Sequence, residues 1–148
     1  NLNIKNKKIL LLSSCEAIEE GVIEKNQFEL WIDKWTKIIK PTQVLFKTKR
    51  HSDKKYLLEN LFTEIPPEWP ADLLLDGFDT VIGYTSCTLY QAANAGCKSI
   101  SLLNLLQKNK ASTNYIVYKK YMIANLHKNK KILFPKSWEE FEIMYNST

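Results

Sequence analysis

Short, almost purely apolar runs bounded by charged or turn-forming residues recur along this chain: Lys8–Ser13 (KILLLS), Gln43–Lys47 (QVLFK), Phe78–Gly83 and Lys98–Leu103. Each is long enough for a buried strand and too short for a helix. Helical patterns lie between them. Phe28, Trp31, Ile32, Trp35, Ile38 and Ile39 recur at the spacing of one helix face, and Pro41 ends the pattern. Asp53 caps a helix that runs through Leu61, and Phe62–Ile65 is a short strand before Pro66-Pro67. Pro70 stands in or just before the first turn of a short helix over Ala71–Leu75, where its missing N–H costs nothing. Ser86–Ala95 reads as a helix closed by Gly96. Residues 104–113 read as a polar loop, Tyr115–Leu126 as a helix and Lys130–Phe134 as a last strand. Ser137 caps a final helix carrying Trp138, Phe141 and Met144.

Buried strands alternating with helices predict an α/β fold, a doubly wound, Rossmann-like parallel sheet with helices on both faces. At 148 residues and 45% apolar content the chain makes one domain, residues 1–148, with a core that needs no staples. Cys15, Cys87 and Cys97 show no metal-ligand spacing and cannot pair completely, which argues against a disulfide scaffold and a zinc module. No apolar run approaches the ~20 residues that span a bilayer.

The net charge of +5 is carried almost wholly by lysine, spread from Lys5 to Lys136. One cluster stands out: Lys47, Lys49, Arg50, His51, Lys54 and Lys55, with Arg50 the only arginine. Arginine offers a bidentate fork and lysine a point charge, so the cluster suits a phosphate or another anion. In a doubly wound sheet ligands bind beyond the carboxyl ends of the strands. The loops expected there hold Glu19 and Glu20, the basic cluster with His51, and Thr85-Ser86-Cys87-Thr88 entering a helix. Hydroxyls and free N–H groups at a helix start, joined by cations, point to a phosphorylated ligand such as a nucleotide or nucleotide-sugar. There is no GxGxxG fingerprint and no P-loop.

Four segments, in this order, resemble the motifs of the nucleotide-binding half of bacterial sialyltransferases and polysialyltransferases of GT-B-like architecture. Glu19-Glu20-Gly21 looks like their acidic motif, and Phe46–Ser52 (FKTKRHS) like a K-x-H-P motif. Glu64–Leu75 (EIPPEWPADLLL) is similar to an I-P-x-E segment, and Val81–Leu89 (VIGYTSCTL) to a G-Y-x-S-S turn. The resemblance covers roughly residues 8–103. It implies a metal-independent, inverting transfer of sialic acid from CMP-sialic acid to a surface glycan of lipooligosaccharide or capsule type. No cofactor is expected. Carried over by position, His51 assists the departing phosphate, Ser86 binds it with Thr85, Thr88, Lys49 and Arg50 nearby, and Glu19 or Glu20 is the base. Asp72 holds the ribose, with Glu68 as second candidate.

The chain departs from the family pattern in having Ser52 for proline, Cys87 for the second serine and Asp72 for glutamate. Cysteine is a weak hydrogen-bond donor, so phosphate binding would lean on Ser86, Thr85, Thr88 and backbone N–H groups. The resemblance further implies a cytoplasmic enzyme peripheral to the bacterial inner membrane. Its acceptor side would belong to an N-terminal domain missing from this sequence, which opens at Asn1, and apolar surface left bare by that domain would favour a homodimer. Plainer readings stand beside these: first-turn acids at Glu19-Glu20, a surface histidine at His51, a simple helix cap at Thr85–Thr88. Trp31 and Trp35 read as core or as a contact with a missing domain rather than a sugar platform, and Tyr115, Tyr118 and Tyr121 as packing. Two other functions fit the same residues: a CDP-glycerol-type polymer transferase, and a non-catalytic basic nucleic-acid module. Against the latter, aromatics are not interleaved with the basic cluster, and no nucleic acid is expected as a partner.

Overall fold

The computed structural model describes residues 9–12, 24–40, 43–48, 58–106 and 113–147. Five parallel strands form one open sheet: β1 (Ile9–Leu12), β2 (Val44–Lys47), β3 (Thr63–Glu64), β4 (Thr80–Gly83) and β5 (Lys98–Ser101), in the spatial order β3-β2-β1-β4-β5. Every residue of β1, β2 and β4 is buried. Successive side chains on a strand point to opposite faces, so both faces of the sheet are covered.

The helices are α1 (Lys25–Ile38), α2 (Leu58–Leu61), α3 (Thr88–Asn94), α4 (Leu103–Leu106), α5 (Thr113–Ala124) and α6 (Trp138–Asn146). From β1 the chain steps through α1 to β2 on one side, and from β4 it steps through α3 to β5 on the other. Parallel crossovers are right-handed, so opposite directions of travel put α1 and α3 on opposite faces. The sequence reading of a doubly wound α/β sheet is the architecture observed.

α1 exists because its apolar positions return every three or four residues. Phe28, Trp31, Ile32 and Trp35 are buried, and the indoles of Trp31 and Trp35 stack at 6.0 Å. Trp35 meets Phe62 edge-on at 5.1 Å, and Trp31 meets Trp138 at the start of α6 at 6.0 Å. The tryptophan stripe is core, as its spacing indicates. α3 ends in a Schellman turn: Cys97 N–H donates to the Ala92 carbonyl and Gly96 N–H to that of Ala93, with Gly96 at φ +95°. Only glycine adopts that conformation without strain. Ser137 caps α6, its Oγ accepting from Glu140 N–H at 3.1 Å.

Three expectations change. Ala71–Gly77 winds as a 3-10 rather than an α segment, behind Pro70 at φ −64°. The polar stretch after Leu103 begins with α4, whose Leu103, Asn104 and Leu106 are buried; residues 107–112 lie outside the described residues. Lys130–Phe134 contributes one parallel bridge, Ile100 to Leu133, in place of a strand. Ser101 N–H donates to Leu133 O at 2.8 Å and Leu133 N–H to Ser99 O at 2.9 Å. Beyond Leu133 the run soon meets Pro135, which has no N–H to extend the ladder. At the other end of β5, Lys98 Nζ donates to the carbonyls of Tyr145, at 2.9 Å, and Ser147 at the close of α6.

Candidate functional site

Strand order reverses between β1 and β4: from β1 the chain builds towards β3, and from β4 towards β5. Loops leaving the carboxyl ends of these neighbours diverge to opposite faces and leave a crevice. Gly83 lets the two ends close up, because a Cβ there would stand 2.9 Å from Leu12 Cδ1. A cavity of about 520 Å³ lies at this reversal, within the size range of small-molecule sites.

Three segments wall it. From β2 come Lys47 and Thr48, from the β3–β4 crossover Pro67–Ala71, and from the loop after β4 Thr85–Thr88. Leu12 forms part of the lining from β1, and Tyr121 arrives from α5. The crossover arm is stiffened by Pro66, Pro67 and Pro70 and is tied to the sheet in two ways. Ile65 N–H donates to Phe46 O at 2.9 Å, and Lys47 Nζ to Pro67 O at 2.8 Å, with Thr48 O at 3.4 Å. Lys47 is only 8% exposed, and the two carbonyls offset part of the cost of burying its ammonium. Thr48 Oγ1 donates to Glu64 Oε1 at 3.3 Å.

On the opposite wall Ser86 Oγ accepts from Thr88 N–H at 3.2 Å, and Leu89 N–H donates to Ser86 O at 3.1 Å. Accepting that bond leaves the Ser86 O–H to donate to a ligand oxygen. Thr85 and Ser86 are half-buried and Cys87 is exposed. Tyr121 meets Tyr90 edge-on at 6.2 Å. The Tyr90 phenol is held above its ordinary pKa, first by desolvation and then by Tyr121 and Cys87.

Of the residues singled out from sequence, Thr85, Ser86, Thr88 and Glu68 come together in this cavity. Asp72 does not line it; it is exposed on the 3-10 segment, so of the two ribose candidates only Glu68 faces the cavity. Glu19, Glu20, Lys49, Arg50 and His51 lie outside the described residues. Sequence reasoning missed Trp69 and Tyr121 and left Lys47 inside the general basic cluster. A tryptophan set between Pro67 and Pro70, outside any helical or alternating apolar period, was the available signal for Trp69. Nothing in the spacing of Tyr121 separates it from packing tyrosines. Among the described residues no group of three His, Cys, Asp or Glu converges as a metal site would require, and no helix is long and apolar enough to cross a membrane.

No family model, curated protein or solved structure matches this chain.

Proposed function

We propose that this chain is the donor-binding domain of a sialyltransferase-like glycosyltransferase, holding a CMP-sialic-acid-type nucleotide-sugar in the cavity at the β1/β4 reversal. The observation that carries the reading is the pairing of opposite walls in that cavity. One wall brings the Ser86 and Thr85 hydroxyls, suited to phosphate oxygens; the other brings a buried lysine, a carboxylate and an indole. Glu68 suits the paired hydroxyls of a ribose, and Trp69, 38% exposed, gives a flat apolar face for a pyrimidine. Such base stacking is worth about 1–3 kcal/mol.

In the reaction, the acceptor oxygen attacks the anomeric carbon as the bond to the CMP phosphate breaks, and the bonding pair leaves on the phosphate. Glu19 or Glu20 takes the acceptor proton, and His51 meets the departing phosphate together with Ser86 and the cations of the β2 loop. An acid that activates the acceptor and donors aimed at developing phosphate charge are sufficient for this chemistry without a metal ion. The glycan acceptor belongs on the far side of the cleft, in a second domain.

Trp69 provides the test. Titrating the chain with CMP, CDP and CDP-glycerol, followed by tryptophan fluorescence, is expected to give a saturable change with CMP that Trp69→Leu abolishes. Ser86→Ala should weaken binding about tenfold, the worth of one hydrogen bond to a charged oxygen. Preference for CDP-glycerol over CMP would reassign the site to a polymer transferase, and absence of any nucleotide response would remove the proposal.

A further inference from the structure

Residues 80–138 contain nine lysines and no aspartate or glutamate, whereas the rest of the chain carries twelve basic against sixteen acidic residues. The positive charge is therefore regional, and α5 lies in the middle of the acid-free region. At 3.6 residues per turn, Ile116, Val117, Lys120, Tyr121, Ile123 and Ala124 fall on one arc of about 160°. All six are exposed, and the four large apolar ones retain 45–53% of their surface. On the opposite arc Met122 is fully buried, and Tyr115 and Tyr118 pack against the core.

The helix thus turns an aliphatic and tyrosyl face outward, with Lys120 as its single charge. Beyond Ala124 the chain is fixed to α3: Asn94 Nδ2 donates to Asn125 O at 3.0 Å, and His127 N–H donates to Asn94 Oδ1 at 2.8 Å. A turn with Asn129 at φ 67° and Lys130 N–H bonded to His127 O then presents Lys128, Lys130 and Lys131, all in solvent.

We infer that the outer face of α5 and the Lys128–Lys131 turn form a docking surface for an anionic lipid bilayer. Exposed aliphatic side chains enter the boundary between headgroups and acyl chains, while lysines beside them meet lipid phosphates. Lys120 reaches the headgroups along its own methylene stem. A second copy of the chain is a poor occupant, because a two-fold contact would place this acid-free surface against itself. Nucleic acid would satisfy the lysines but leave the aliphatic arc uncovered. Tyr121 belongs both to this arc and to the cavity wall, so docking brings the cavity beside the bilayer surface.

Vesicle sedimentation without nucleotide tests this independently of the proposed donor site. With about one-third phosphatidylglycerol in phosphatidylcholine, partitioning should exceed that on pure phosphatidylcholine at least about tenfold and fall as salt rises. Joint Ile116→Ser and Ile123→Ser substitution should lower it about tenfold, with the far-UV circular dichroism unchanged. Replacing Lys128, Lys130 and Lys131 by Gln should do the same. If the aliphatic variant alters the dichroism, the lysine variant decides alone. Equal binding to both vesicle types, partitioning that survives the lysine substitutions, or a solution dimer that Ile123→Ser dissociates would overturn the inference.

Discussion

α1 and α5 are close in length, fourteen and twelve residues, and both are rich in large apolar side chains, yet they dispose of them in opposite ways. α1 gathers Phe28, Trp31, Ile32 and Trp35 on one face and buries all four. α5 is apolar on both sides and buries only part of that surface. Apolar residues that recur on a single face therefore carry information about folding. Apolar residues left over after the inward face is filled carry information about what the surface meets.

The contrast is sharpest in stability. Trp35→Ala removes a fully buried indole that stacks on Trp31 and meets Phe62 edge-on, and should cost about 3–5 kcal/mol. Chemical denaturation would measure this; a loss below about 1 kcal/mol would mean that α1 is not the anchor its burial implies. At the outer face of α5, Ile116→Ser should change stability by less than about 0.5 kcal/mol in the same assay. A larger loss there would turn the exposed arc into a packing surface and remove the distinction between the two helices.

Between these two in size lies an effect at the end of α3, the element that holds α5 in place. The Cys97 thiol sits 3.4 Å from the carbonyls of Leu75 and Phe78, and its pKa is raised by burial first, then by Asp76 and Asp79. The folded state thus retains the thiol proton at a pH where the unfolded chain has lost it. That contribution is complete below the ordinary thiol pKa and is lost as pH rises through the raised one. Lys98 acts in the opposite sense, since burial lowers its pKa and rising pH relieves the cost. Comparing thermal melts of wild type and Cys97→Ala across the alkaline range isolates the thiol: the wild type should lose stability more steeply. Because the thiol is partly exposed, the difference should be a fraction of the Trp35 effect.

The strands were legible because burial on both faces makes each a continuous apolar run, and runs of four to six residues have few other uses. α1 was legible for the converse reason, a strict helical period. Legibility failed where one residue did the work. Leu133 makes two ladder bonds inside a segment that otherwise looks like a strand, and Leu103, Asn104 and Leu106 fold a helical turn from residues with no period to read. Ser86 and Thr85 could be placed at the cavity from sequence because strand ends in a doubly wound sheet are fixed by topology. Trp69 and Tyr121 reach the same cavity from a long crossover and a distant helix, and no local spacing encodes that meeting.

β3 is two residues long, and β5 is bridged by Leu133 and clasped at Lys98 by the end of α6. Among the described residues, neither margin offers an extended row of unsatisfied amides that could template another chain. The described sheet should accordingly resist cross-β growth from its edges when the folded protein is concentrated.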